Sequence, residues 1–145
     1  MENGGLNMAK KTKIEENLPS KADVVKYVML YDLLETAYVE MKDFSKKNPD
    51  TMLNERKVKY INKVLKDIKS ILGNEASAEY LEIFNEDEEF PTYSDVVLTM
   101  SQYRSSMDYF RLNYRVFAHT EWCWKTNEGF VSAREIEGDK RWRNI

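Results

Sequence analysis

Wound at helical pitch, the stretch Asn54–Leu72 separates its side chains into two kinds. Val58, Ile61, Val64, Leu65, Ile68, Ile71 and Leu72 share an arc of roughly 140°, while Arg56, Lys59, Lys63 and Lys66 fall within roughly 80° on the opposite side. Asn54 can cap the start and Gly73 can end the run in a left-handed conformation, so an amphipathic helix is predicted over 54–72. Upstream, Ser20 with Asp23 three residues on opens a helix that runs to Lys47, where Asn48-Pro49-Asp50 turns the chain. Its apolar face is Leu30, Leu34, Ala37, Met41 and Phe44. Val24, Tyr27, Tyr31 and Tyr38 lie along one edge of that face, where tyrosines are expected to pack their rings and leave their hydroxyls in water.

Beyond Gly73, a short connector helix over 77–85 presents Ala78, Leu81 and Phe84. Thr92-Tyr93-Ser94-Asp95 then caps the longest regular pattern in the chain. Val96, Met100, Tyr103, Met107, Phe110, Tyr114 and Phe117 recur in steps of four and three, a heptad-like seam that predicts a helix over 94–119. Leu98, Tyr109, Leu112 and Val116 form a second apolar strip on another side of that helix, suited to a second neighbour in a bundle or to a subunit interface. From Thr120 the character changes. All three tryptophans follow, and Asn127-Glu128-Gly129 is a turn signal, so this segment is either a short hairpin or a continuation of the helix through Trp124.

The expected fold is all-α: an up-down bundle of three long helices at 21–47, 54–72 and 94–119, a short connector helix, and a small C-terminal appendage at 120–145. Residues 1–19 read as a polar tail, in which Met8 is a candidate start beside Met1. Composition agrees with long helices, since five Gly and three Pro in 145 residues leave few turns. The most apolar run, Val24–Leu34, is broken by Lys26 and Asp32, so no membrane segment is expected. The lone Cys123 excludes an intramolecular disulfide and suits a reducing, cytoplasmic compartment.

Charge is segregated along the chain. Residues 54–72 carry six basic and two acidic side chains, whereas residues 73–99 carry eight acidic and no basic ones. The two blocks can neutralise each other or meet partners. Four consecutive carboxylates, Glu86-Asp87-Glu88-Glu89, lack the alternating ligands and glycine of a calcium loop. Arg104, Arg111 and Arg115 align beside the aromatic seam, where Asp108 and the acidic block can pair with them. His119 and Cys123 lie four apart but supply only half of a structural zinc site. Trp122, Trp124, Arg141, Trp142 and Arg143 make a basic, aromatic tail.

No catalytic set, metal site, cofactor or small-molecule substrate is read from these residues. The expectation is a non-enzymatic protein-protein interaction module, a small helical subunit or regulator that docks a protein partner or self-associates. The alternative is a nucleic-acid-binding accessory protein using the basic stripe and the tail.

Overall fold

The computed structural model describes residues 17–73, 75–138 and Trp142. Most of the expected tail (residues 1–16, with Met1 and Met8) and Arg141 and Arg143 lie outside the described residues. Helix α1 spans Lys21–Lys47 and opens with the Asp23 amide donating to Ser20 Oγ at 3.0 Å. Helix α2 spans Glu55–Leu72; the Lys57 amide donates to Asn54 Oδ1 at 2.9 Å. At its end Gly73 adopts φ 51°, a conformation that favours glycine, and its amide closes on the Lys69 carbonyl. Helix α3, Tyr93–Tyr114, begins with a reciprocal cap in which Thr92 and Asp95 each accept from the other's amide at 3.2 Å.

The chain divides into two compact units, one formed by Tyr27–Arg111 and the other by Met1–Lys26 with Leu112–Ile145. In the first, Leu30 and Leu34 of α1, Val58, Leu65 and Ile68 of α2, and Val96, Met100 and Met107 of α3 are buried together as its apolar core. Tyr27 departs from the expected edge position. It is fully buried, stacked on Phe110 at 4.8 Å, and its hydroxyl donates to the Met107 carbonyl at 2.5 Å. That bond removes the penalty of a buried, unpaired hydroxyl and lets the whole side chain enter the core.

The expected connector helix at 77–85 is corrected to a single 3-10 turn, Ala76–Ala78, followed by irregular chain. Side chains from the flanking helices take over its backbone hydrogen bonds. Asn62, fully buried on α2, donates from Nδ2 to the Phe84 carbonyl (2.8 Å) and to Glu86 Oε2 (2.7 Å), and its Oδ1 accepts from the Phe84 amide (3.0 Å). Lys69 Nζ donates to the Leu81 carbonyl and the Tyr103 hydroxyl to the Glu82 carbonyl, both at 2.8 Å. With those groups satisfied, the segment has no need of helical bonds. The loop before α2 then meets the segment before α3 through an antiparallel bridge, Met52 with Thr92, and through the Leu53 amide on the Pro91 carbonyl at 2.9 Å.

The second unit overturns the all-α expectation. The seam helix predicted to reach residue 119 stops at Tyr114, and Arg115–Ala118 is strand β1. It pairs antiparallel with β2, Glu121–Thr126, which pairs with β3, Gly129–Ser132, before a one-turn helix α4, Ala133–Glu137. The fold is therefore mixed, four helices with a three-stranded antiparallel sheet among the described residues, and residues 120–145 are not an appendage to a three-helix bundle. The sequence misleads here because Arg115-Val116-Phe117 fits both periods: Phe117 continues the helical steps, yet alternation also places it with Arg115 on one sheet face, opposite Trp122 and Trp124.

Two tight turns connect the strands. In the first, His119 and Thr120 both hold positive φ, 53° and 67°. The second runs through Asn127 and Glu128 into Gly129 at φ 107°, braced by Thr126 Oγ1 donating to the Gly129 carbonyl at 2.7 Å. The hairpin signal at Asn127-Glu128-Gly129 thus corresponds to β2–β3, and its Asn127 amide donates to the Pro19 carbonyl at 2.9 Å.

Candidate functional site

Two helices joined by a short connection leave a furrow beside the joint, and here the last turns of α1 and the first turns of α2 line a groove of about 630 Å³. Its floor is apolar: Ala37, Met41 and Phe44 from α1, Tyr60 and Ile61 from α2. Phe44 and Tyr60, which line it from opposite helices, are 44% and 55% exposed. Phe44 was expected in the core and instead shapes this surface. Its ring lies 5.4 Å from Tyr93, which the Met52–Thr92 bridge carries to the same end of the unit. Lys57 Nζ sits over both rings, 5.2 Å from Phe44 and 5.6 Å from Tyr93, and donates to the Tyr93 hydroxyl at 3.0 Å. The ammonium is thereby pinned and holds the Phe44 ring in place.

The rim is charged, and its charges differ between the walls. Glu40 and Asp43 stand on α1, Arg56 on α2. None of the three enters an ion pair among the described residues. An apolar floor with unpaired rim charges can bury a partner's apolar side chain, worth about 1.5–3 kcal/mol for a Leu or Phe, while the rim fixes orientation. Among the described residues, no group of three or more His, Cys, Asp or Glu is placed to hold a metal ion, and no helix is long and apolar enough to cross a membrane.

The residues singled out in the sequence are scattered rather than gathered. All four cations of the basic stripe are exposed, but Lys59 pairs with Glu55 at 2.7 Å and Lys66 approaches Glu86 at 3.8 Å, leaving Arg56 and Lys63 without ion pairs among the described residues. Leu98, Tyr109 and Leu112 are exposed on α3, whereas Val116 lies half-buried on β1 opposite Cys123, so the apolar strip does not continue along one helix. The arginine row takes three separate carboxylates. Arg104 binds Glu35 through Nε (2.5 Å) and Nη2 (3.2 Å) and lies 4.1 Å above the Tyr38 ring; Arg111 approaches Asp108 at 3.7 Å; Arg115 binds Glu137. The acidic run 86–89 supplies none of these partners.

The tryptophans expected in a partner-facing tail pack within their own unit instead. Trp124 is fully buried, and its Nε1 donates to Glu137 Oε2 at 2.5 Å. The same carboxylate takes a bidentate bond from Arg115, Nε at 2.9 Å and Nη2 at 3.0 Å, with the two side chains 3% and 1% exposed. Trp122 lies 4.9 Å and Trp142 5.8 Å from the Arg115 guanidinium. Cys123 is buried in β2, where burial pushes its thiol up, and His119 stands in the exposed turn against Phe130, so the two do not share a helical face.

Tyr60, Glu40 and Asp43 were missed in the sequence. One signal was present: Tyr60 is a large ring just outside the apolar arc of α2, between Ile71 and Arg56 around the helix. What sequence alone lacks is the pairing of α1 with α2 that makes a groove of separate exposed residues. Compared with protein-family models, with curated proteins and with solved structures, the chain matches none of them.

Proposed function

We propose that the protein is a non-enzymatic docking module, a small subunit or regulator that receives a segment of a partner protein in the α1–α2 groove, in a cytoplasmic setting that suits its lone buried thiol. The observation that carries this reading is the uncovered apolar floor, with Phe44 and Tyr60 half-exposed between unpaired rim charges. Tyr60→Asp tests it. This change lies on the surface and is expected to leave stability within about 0.5 kcal/mol of wild type. In parallel affinity enrichments from the native cell, at least one protein retained by wild type and by a Tyr80→Asp control is expected to be lost with Tyr60→Asp. Identical profiles would end the reading.

Nucleic-acid binding is the weaker alternative, because two cations of the stripe already face carboxylates. Four phosphate contacts would give a logarithmic salt slope near about −3. Oligonucleotide titration at low salt is expected to show no binding, and binding removed by Lys59→Glu with Lys63→Glu would reverse the order of the two readings.

A further inference from the structure

Resting on that docking reading, we infer that the occupant of the groove is a single amphipathic α-helix of a partner protein, cationic along the flank against α1 and anionic along the flank against α2. The walls have the spacing a helix needs. Ala37, Glu40 and Phe44 line the groove on α1, Lys57 and Tyr60 on α2, each in steps of three or four. By helical period the α1 line continues through Leu33, 38% exposed. Two such lines side by side form the lattice of knobs and holes into which another helix packs. From Leu33 to Phe44 the line is about 16 Å long, three helical turns. An extended peptide would find little here, since the backbones of α1 and α2 are hydrogen-bonded within their own helices and offer no edge to add a strand to.

The charges set the partner's chemistry. Glu40 and Asp43 call for Lys or Arg on one flank, and Arg56 calls for Asp or Glu on the other. The exposed line of α3 in this unit, Leu98 and Tyr109, is bordered by Asp95 and Asp108 and brings no unpaired cation to meet Glu40 and Asp43. Helix α3 of a second copy therefore fits the groove poorly.

The test is a selection on the full chain from displayed helix-forming peptides of about 21 residues, three heptads, with Leu at the core positions and Lys, Glu or Gln free on the flanks. Binders are counter-selected against a Phe44→Asp, Tyr60→Asp double variant. Enriched peptides are expected to segregate Lys to one flank and Glu to the other. A representative peptide is expected to lose roughly hundredfold in affinity when a proline is placed at its midpoint, and roughly tenfold or more against Glu40→Lys with Asp43→Lys. Both rim residues are exposed, so a circular-dichroism melt is expected to show that variant folded. Binders without charge segregation, or ones that tolerate the proline, would overturn the inference while the docking reading stands. No enrichment over the double variant would remove both. Light scattering that finds a wild-type dimer broken by Tyr60→Asp would make the occupant a second copy and overturn the inference.

Discussion

Glu137→Ala is expected to remove about 3–5 kcal/mol from the stability of the sheet-bearing unit. The change leaves the Arg115 guanidinium, 3% exposed, without the carboxylate that holds two of its donors, and it strips the acceptor from Trp124 Nε1. Loss of the bidentate carboxylate from a buried cation is costly because the hydration given up on folding is not restored to the donors it held. Replacing both partners, Arg115→Met with Glu137→Leu, is expected to recover most of the loss, since a buried pair exchanged for apolar side chains of similar volume is close to neutral. Urea unfolding followed by tryptophan fluorescence separates these outcomes. A single variant within about 1 kcal/mol of wild type would mean that water reaches the pair in solution.

The second large effect is expected at Asn62. Asn62→Ala removes both partners of Phe84, its amide and its carbonyl, and one partner of Glu86, for an expected loss of about 2–4 kcal/mol. Asn62→Asp is expected to be worse, because it keeps an acceptor for the Phe84 amide but turns a charge toward Glu86 and the Phe84 carbonyl. Hydrogen exchange locates the damage. Protection at Phe84 is expected to fall in both variants while the middle of α2 keeps its own, whereas uniform loss across α2 would show that Asn62 supports the helix rather than the segment.

The elements that were legible in the sequence are those whose determinants are local. Ser20, Asn54 and Thr92 cap α1, α2 and α3 from within four residues, and the apolar arc of α2 is its buried face. What was illegible depends on residues far apart in the chain. Segment 79–86 carries helix-like spacing, but its conformation is decided by Asn62, Lys69 and Tyr103, which reach it from outside. Strand β1 continues a helical seam and is a strand because β2 offers it a ladder. The groove belongs to the same class: Phe44 reads as core in a one-dimensional pattern, and only the seating of α2 against α1 leaves it at a surface.

The two turns of the sheet imply an order of assembly. Threonine in the left-handed region is strained, and two consecutive residues without glycine there cost on the order of 1–2 kcal/mol each. The turn through Asn127, Glu128 and Gly129 carries no such burden, since glycine takes the positive φ. Hairpin β2–β3 is therefore expected to form early in refolding, with β1 closing onto it only once Arg115 and Trp124 supply contacts that outweigh the strain in the His119–Thr120 turn. In kinetic terms, Gly129→Ala should slow refolding, whereas His119→Asn with Thr120→Gly should speed it and move the rate-limiting step away from the β1–β2 turn.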